Sequence, residues 1–222
     1  MNRNFLAAWN LLLSTFSFIG MARTMPHLIH NLFNMTLQQN VCQEAADDWG
    51  SFSTGLWVQL FIYSKPFELI DTYFIVARKR PLIFLHWYHH VTVLLFCWHS
   101  YAFEAATGLF FVAMNYSVHA IMYGYYCLMA LRMKPKWINP VYITMAQITQ
   151  MIVGISVCLA SYYYKKNHTG TCSVTDDNLI AGAVMYGSYA FLFIKFALDR
   201  FLPKSMRFGT GMEKTPKAKK IE

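Results

Sequence analysis

His86, His89 and His90 stand at i, i+3 and i+4, so all three imidazoles project from one side of a helix. A lone histidine in an apolar helix is usually a satisfied core residue. Three on one face, just beyond the basic stretch Arg78-Lys79-Arg80, form a different pattern. Two chemistries suit it. Histidines at short helical spacing bind zinc or iron. Neutral imidazole is also a nucleophile that attacks thioesters, forms an acyl-imidazole and splits one hard step into two. A carboxylate or amide on the other ring nitrogen fixes the tautomer, and a dry chamber protects the acyl intermediate from water.

Other polar residues follow the same helical logic. Lys65, Glu68 and Asp71 stand at i, i+3 and i+6, with Thr72 at i+7, which keeps them near one face and lets Lys65 pair with Glu68. Asn115, His119, Tyr123 and Tyr126 form a second stripe, and Thr144, Gln147 and Gln150 a third. Tyr126 and Gln147, taken singly, are as well explained as glue between helices.

These stripes lie in an apolar chain. Of 222 residues, 56% are hydrophobic and 17% aromatic, while 14% are charged, against roughly 25% in ordinary soluble proteins. Apolar runs at about 5–24, 53–77, 82–101, 109–131, 138–164 and 178–202 have the length a helix needs to cross a bilayer core of about 30 Å. The composition excludes a soluble globular enzyme, a disordered chain, a coiled coil and a disulfide-rich secreted module. It predicts an all-α, polytopic membrane protein of six transmembrane helices. Arg3 and the first run could also form a cleaved signal peptide, but the run is longer than a usual signal core.

The net charge of +8 is topological. Arg78, Lys79 and Arg80, then Arg132, Lys134 and Lys136, then the basic tail, fall in loops that the positive-inside rule assigns to the cytosol. Glu44, Asp47, Asp48, Glu104, Asp176 and Asp177 mark the opposite, lumenal side. Nucleic-acid binding is therefore not expected, and both termini are expected in the cytosol. Cys42 and Cys172 fall in lumenal loops, where an oxidising compartment allows them to pair. Counted inward from the nearest cytosolic charge at 1.5 Å per residue, His86 and His90 lie about 9 and 15 Å deep, and His119 about 20 Å. Lys65 and Asp71 lie about 20 and 10 Å deep, and Thr144 and Gln150 about 12 and 21 Å. Four helices thus place polar residues in one slab that opens toward the cytosol. Three charges facing lipid there would cost roughly 8–10 kcal/mol, so they must face protein or a wet cavity.

Three functions fit a charged, histidine-lined intramembrane chamber. One is a histidine-box desaturase or hydroxylase, although His86, His89, His90 and His119 fall short of a two-metal ligand set and leave only a mononuclear site with Glu68 or Asp71. Another is a small transporter with a proton relay, although the two halves of the chain show no likeness. The third is acyl transfer through imidazole.

The motifs resemble the ELO family of very-long-chain fatty acid elongases, the 3-oxoacyl-CoA synthases of the endoplasmic reticulum. Lys65-Pro-Phe-Glu68-Leu-Ile-Asp71-Thr72 is similar to KxxExxDT, His86-Trp-Tyr-His89-His90 to HxxHH, the segment from Asn115 to Tyr126 to HxxMYxYY, and the segment from Thr144 to Gln150 to TxxQxxQ. The four occur in the family's order on successive spans, and the resemblance covers essentially the whole chain. It implies an inverted helical barrel around an acyl tunnel, formed by a single domain over 1–208. The family's first helix is expected to be absent, because the chain starts where the family's second would. A disordered cytosolic tail over 209–222 carries Lys219-Lys220, which resembles a dilysine retrieval signal of the endoplasmic reticulum.

The implied reaction is condensation of a long-chain acyl-CoA with malonyl-CoA to a 3-oxoacyl-CoA two carbons longer, with release of carbon dioxide and CoA. It implies no metal or redox cofactor. It implies membrane lipid as surroundings, the reductases and dehydratase of the elongation cycle as partners, and allows a homodimer. By the resemblance His89 is the nucleophile, His119 binds the thioester or helps activate malonate, and Asn115 and Gln150 donate to the oxyanion. His86 and His90 orient or protonate, Glu68 and Asp71 set tautomers, and Lys65 balances their charge. Thr72, Tyr123, Tyr126, Thr144 and Gln147 orient substrate. Arg78, Lys79 and Arg80 hold CoA phosphates, a role they share with plain topology. The Trp87-Tyr88 pair resembles the subgroup acting on saturated and monounsaturated chains.

Overall fold

The computed structural model describes residues 3–133, 138–167 and 171–201. The tail over 209–222 with its dilysine pair, Lys134, Lys136 and His168 lie outside the described residues. The elements are α1 (Arg3–Asn34), α2 (Leu37–Cys42), a 3-10 turn (Ala45–Asp47), α3 (Phe52–Ala77), α4 (Phe84–Ala102), α5 (Gly108–Ala130), α6 (Pro140–Asn167) and α7 (Asp176–Phe201). No strand is present among the described residues.

Six of these helices are long, and their neighbours form a closed ring. Around it α1 touches α3, α3 touches α4, α4 touches α7, α7 touches α6, α6 touches α5, and α5 returns to α1. Large apolar side chains such as Leu12, Phe18, Leu95, Ile121, Leu159 and Phe191 are exposed on its outside, as a lipid-facing surface requires. By length and composition α1, α6 and α7 are apolar enough to cross a membrane. Helices α3, α4 and α5 fall short of that measure because they carry the charged, histidine and tyrosine stripes.

Helix α1 runs ten residues past the apolar stretch that ends near 24. Its buried side is Ala7, Asn10, Leu13, Ser17, Gly20, Thr24, Leu28 and Asn31, spaced by three or four. Small residues at this spacing let helix backbones approach closely, and α1 makes its largest contact with α5. At the centre of that contact Tyr116 is 1% exposed. A Cβ on Gly20 would sit 2.4 Å from Tyr116 Cζ. Phe16, Trp57 and Phe61 surround the same ring, and its hydroxyl donates to the Trp57 carbonyl at 2.9 Å. The polar end of α1 continues helically because it has partners: His27 and Asn31 both bond Asp48.

The two ends of the ring differ. At the end with few basic residues, α2, the 3-10 turn and the segment up to α3 form a cap. Cys42 and Cys172 are joined by a disulfide, Ser173 N–H donates to the Cys42 carbonyl at 2.9 Å, and Ala106 N–H to the Ser173 carbonyl at 3.1 Å. Cys97, Cys127 and Cys158 are free and buried. At the basic end α3 and α5 stop in a common way. Lys79 and Arg132 adopt φ of 50° and 63°, and the next amide reaches back to Ile75 or Leu128. That is the Schellman closure, and it turns the chain within two residues. Glu104 closes α4 similarly at the capped end.

The Gly20–Tyr116 contact gives a stability prediction. Gly20→Ala should destabilise the detergent-solubilised protein by about 1–3 kcal/mol through overpacking. Gly187→Ala, where nothing lies within 4 Å of the added carbon, should be neutral or gain about 0.5–1 kcal/mol from helix propensity. Equal unfolding midpoints for the two variants would contradict the packing described.

Candidate active site

Helix α3 supplies the charges. Lys65 is 2% exposed. Its ammonium lies 2.6 Å from Glu68 Oε1, 3.3 Å from Asn115 Oδ1 and 3.8 Å from the centroid of the Phe61 ring. His119 Nδ1 is 3.9 Å from the same Glu68 oxygen, and Glu68 Oε2 has no hydrogen-bond partner. The pair is therefore buried behind the histidines with one carboxylate oxygen uncommitted.

Asp71 behaves differently from its expected part. It does not bond a histidine. Trp9 Nε1–H donates to Oδ1 and the Tyr123 hydroxyl to Oδ2, both at 2.7 Å. The reason is geometric: α1 lies beside α3 in the ring and brings the indole to the carboxylate first. Thr72 instead reaches a histidine, with Oγ1 3.2 Å from His86 Nε2.

Helix α4 supplies the histidines. The His86 and His90 rings are 4.5 Å apart and those of His89 and His90 5.4 Å. His90 Nδ1 is buried without a partner. The His89 ring lies 4.8 Å from that of Tyr189 on α7, whose hydroxyl donates to the His89 carbonyl at 3.1 Å. On α5 the His119 and Tyr123 rings are 5.3 Å apart. Thr144 Oγ1 donates to the Pro140 carbonyl of its own helix at 3.3 Å. Gln147 Nε2 lies 3.4 Å from Met122 Sδ, the interhelical contact expected of glue.

Two cavities meet at these groups. The wide one has a volume of about 830 Å³. His86, His89, His90, His119, Asn115 and Gln150 line its interior. Asp71, Tyr123, Tyr126, Thr144 and Gln147 also line it, Tyr126 from an exposed position. Arg3, Arg78, Arg80, Arg132 and Arg200 line it at the basic end. The second is a slot of about 50 Å³ with mainly apolar walls, running toward the cap and ending among Trp49, Ala105 and Gly108. His89, Asn115 and Gln150 line both. Along α4 from His89 to Ser100 the slot spans about 17 Å at 1.5 Å per residue.

Lys65, Glu68 and Thr72 stand behind the lining. Lys79 is not part of it either, which corrects its expected place at the mouth: it is the left-handed residue that closes α3. The charges the sequence reading left out of the site are Arg3, Arg132 and Arg200; they read as loop and tail charges because nothing local shows that the ring gathers them. Trp9 and Asn10 were also missed. Asn10 had a signal, as a polar residue in an apolar run, whereas an indole in such a run has none. His27 and His99 lie outside the site and bond Asp48 and Asn178. Among the described residues no group of three or more His, Cys, Asp or Glu side chains is placed to hold a metal ion.

Residues 2–208 match the sequence pattern of the ELO family, described as the GNS1/SUR4 family. The chain belongs to the ELO family. It is 42% identical over 198 residues to very long chain fatty acid elongase 6 of Drosophila melanogaster, covering 89% of this chain and 62% of the relative. It is 41% identical to the elongase 6 of Gallus gallus, over 91% of this chain and 75% of that one. It is 39% identical to fatty acid elongase 3 of Trypanosoma cruzi, over 93% and 78%. No solved structure matches the chain. It is thus a helical, multi-pass membrane protein, spanning 62% to 78% of these relatives' lengths.

The buried ion pair makes its own prediction. Lys65→Met strands the Glu68 carboxylate and should destabilise the protein by about 3–5 kcal/mol, while the Lys65→Met/Glu68→Gln double variant should recover most of the loss. Unfolding midpoints in detergent measure both. A single variant as stable as the unchanged protein would show that Glu68 carries no buried charge needing compensation.

Proposed function

We propose that the chain is the condensing enzyme of fatty acid elongation, joining a long-chain acyl-CoA to the two-carbon unit of malonyl-CoA. One observation carries this reading: His89 lies where a wide, arginine-rimmed polar cavity meets a narrow apolar slot. A thioester of an acyl chain has those two halves, a polyanionic carrier and a hydrocarbon tail, with the reactive carbonyl between them. The names of the relatives support it.

The acyl tail enters the slot, and the CoA phosphates face Arg3, Arg78, Arg80, Arg132 and Arg200. That places the thioester carbon beside His89. The neutral imidazole attacks it, the carbonyl oxygen takes negative charge, and Asn115 and Gln150 carry amide donors on that wall. Such donors contribute several kcal/mol, on the order of 3–4 for one in well-studied cases. CoA leaves as its thiolate and takes up a proton. Malonyl-CoA then occupies the wide cavity, its thioester carbonyl against His119. Loss of carbon dioxide leaves the electron pair on the α-carbon, which attacks the acyl-imidazole carbonyl and expels the His89 ring, which takes up a proton from solvent and returns to neutral imidazole. The products are a 3-oxoacyl-CoA, CoA and carbon dioxide. No electron is transferred to a cofactor, and decarboxylation drives the bond formation.

In this scheme Glu68, held by Lys65 and with an oxygen 3.9 Å from His119 Nδ1, fixes the tautomer of that ring, and Thr72 orients His86. His90, with an open ring nitrogen, is placed to exchange a proton. Asp71 acts on Tyr123 rather than on an imidazole. The proposal extends to an endoplasmic reticulum location with both ends in the cytosol, from the basic loops and Lys219-Lys220, and to reductases and a dehydratase that take up the 3-oxo product.

The test is condensation of labelled malonyl-CoA with acyl-CoAs by membranes carrying the chain. His89→Ala and His119→Ala should each lower the rate at least 100-fold, and intact-mass analysis with acyl-CoA alone should find an acyl adduct on unchanged protein but none on His89→Ala. Normal rates in both variants would sink the scheme, as would stoichiometric iron in the purified protein.

A further inference from the structure

The slot ends at the cap on Trp49, a large side chain that no motif contains. Trp49 is 5% exposed and lies in the cap, between the 3-10 turn and α3. Of the other residues at that end, Ser100, Ala105 and Gly108 are small, and Tyr101 is partly buried near the end of α4. The indole is held rigidly. Its Nε1–H donates to the Ala106 carbonyl at 3.1 Å. The neighbouring Asp48 accepts from Asn31 at 2.8 Å and pairs with His27 at 2.9 Å. On its other side Gly50 N–H donates to the Ala45 carbonyl at 2.6 Å. The segment carrying it is anchored to the far side of the ring through the Cys42–Cys172 disulfide.

Its position also depends on Gly108. A Cβ there would lie 2.9 Å from Trp49 Cζ2 and 3.2 Å from Cη2. Gly108 is the first residue of α5 and has no left-handed φ. Its role is therefore room for the indole, not backbone freedom. An alanine would press the ring back toward the slot.

We propose that Trp49, seated on Gly108, is the floor that sets the longest acyl chain the slot accepts. This rests on the condensing reading above. A hydrocarbon that fits the slot gains by leaving water and lipid contact for matched walls. One methylene too long must displace the indole, its hydrogen bond and the cap behind it. That cost falls on substrate acceptance and not on the chemistry at His89, which lies at the other end of the slot, where it meets the wide cavity. Trp49 is thus a specificity-determining residue, with Gly108 as the residue that positions it.

The experiment uses membranes carrying the full chain, labelled malonyl-CoA and a panel of saturated acyl-CoAs rising two carbons at a time. Trp49→Ala and the milder Trp49→Phe should move the longest accepted substrate up by at least one two-carbon step, with a tenfold or greater gain on the first chain the unchanged protein rejects. Rates on the shortest substrates should stay within about threefold. Gly108→Ala should move the limit down. The opposite shifts separate a floor from general loosening, which would lower every rate together. If Trp49→Ala does not accumulate, Trp49→Phe and Gly108→Ala carry the test alone. Unchanged length profiles in variants that still condense would overturn the floor and leave the condensing reading intact. An unchanged protein that condenses no member of the panel removes both.

Discussion

A charged side chain inside a bilayer must face protein, because hydrocarbon offers it no partner. Lys65 and Glu68 obey this constraint most strictly, and the ring is arranged around them. The ammonium finds the Glu68 carboxylate, the Asn115 carbonyl and the face of Phe61. Those contacts link α3 to α5 across the inside of the barrel. With α4 bound to α3 through Thr72 and His86, the stripes of α3, α4 and α5 turn inward, where the Thr144–Gln150 stripe of α6 joins them. By composition α1, α6 and α7 are the more apolar staves, and of these α6 adds the Thr144–Gln150 stripe to the chamber.

The same constraint explains why the chamber is polar at one end and apolar at the other. Close to the basic loops, buried polar groups have one another and an opening rimmed with arginine. Toward the cap no charged side chain lines the slot among the described residues, and its walls are mainly Phe, Val, Ile and Met, with Tyr189 and Trp49 bonding their polar atoms to backbone. His89 lies at the border. In the reaction proposed above its chemistry would depend on both sides: the acyl-imidazole would need a site dry enough to keep it from hydrolysis, and a leaving group as charged as CoA would need a route to solvent.

Packing does the rest through size rather than charge. Gly20 admits the Tyr116 ring, and Gly154 admits that of Tyr186, which a Cβ would approach to 2.7 Å. Each close pair draws two helices together, α1 to α5 and α6 to α7, which are the ring's two largest contacts. The cap is then laid across one end and fastened at several points, by Cys42–Cys172, by Asp48 on α1 and by Trp49 on Ala106.

The four polar motifs were legible because helical spacing is a local property. Lys65 to Thr72, His86 to His90, Asn115 to Tyr126 and Thr144 to Gln150 each share a face whatever their neighbours do, and an apolar background leaves those faces one direction to point. The six long helices were legible for the same reason, as was the chance for Cys42 to meet Cys172 once both fell on one side. The course of α1 to Asn34 was not, since its polar end is helical only because Asp48 receives it. Nor were the partners of Asp71, the gathering of Arg3, Arg132 and Arg200, the displacement of Lys79 from the mouth, or the seat of Trp49. Each joins residues far apart in the chain, and only the closing of the ring and the laying of its cap decide which of them meet.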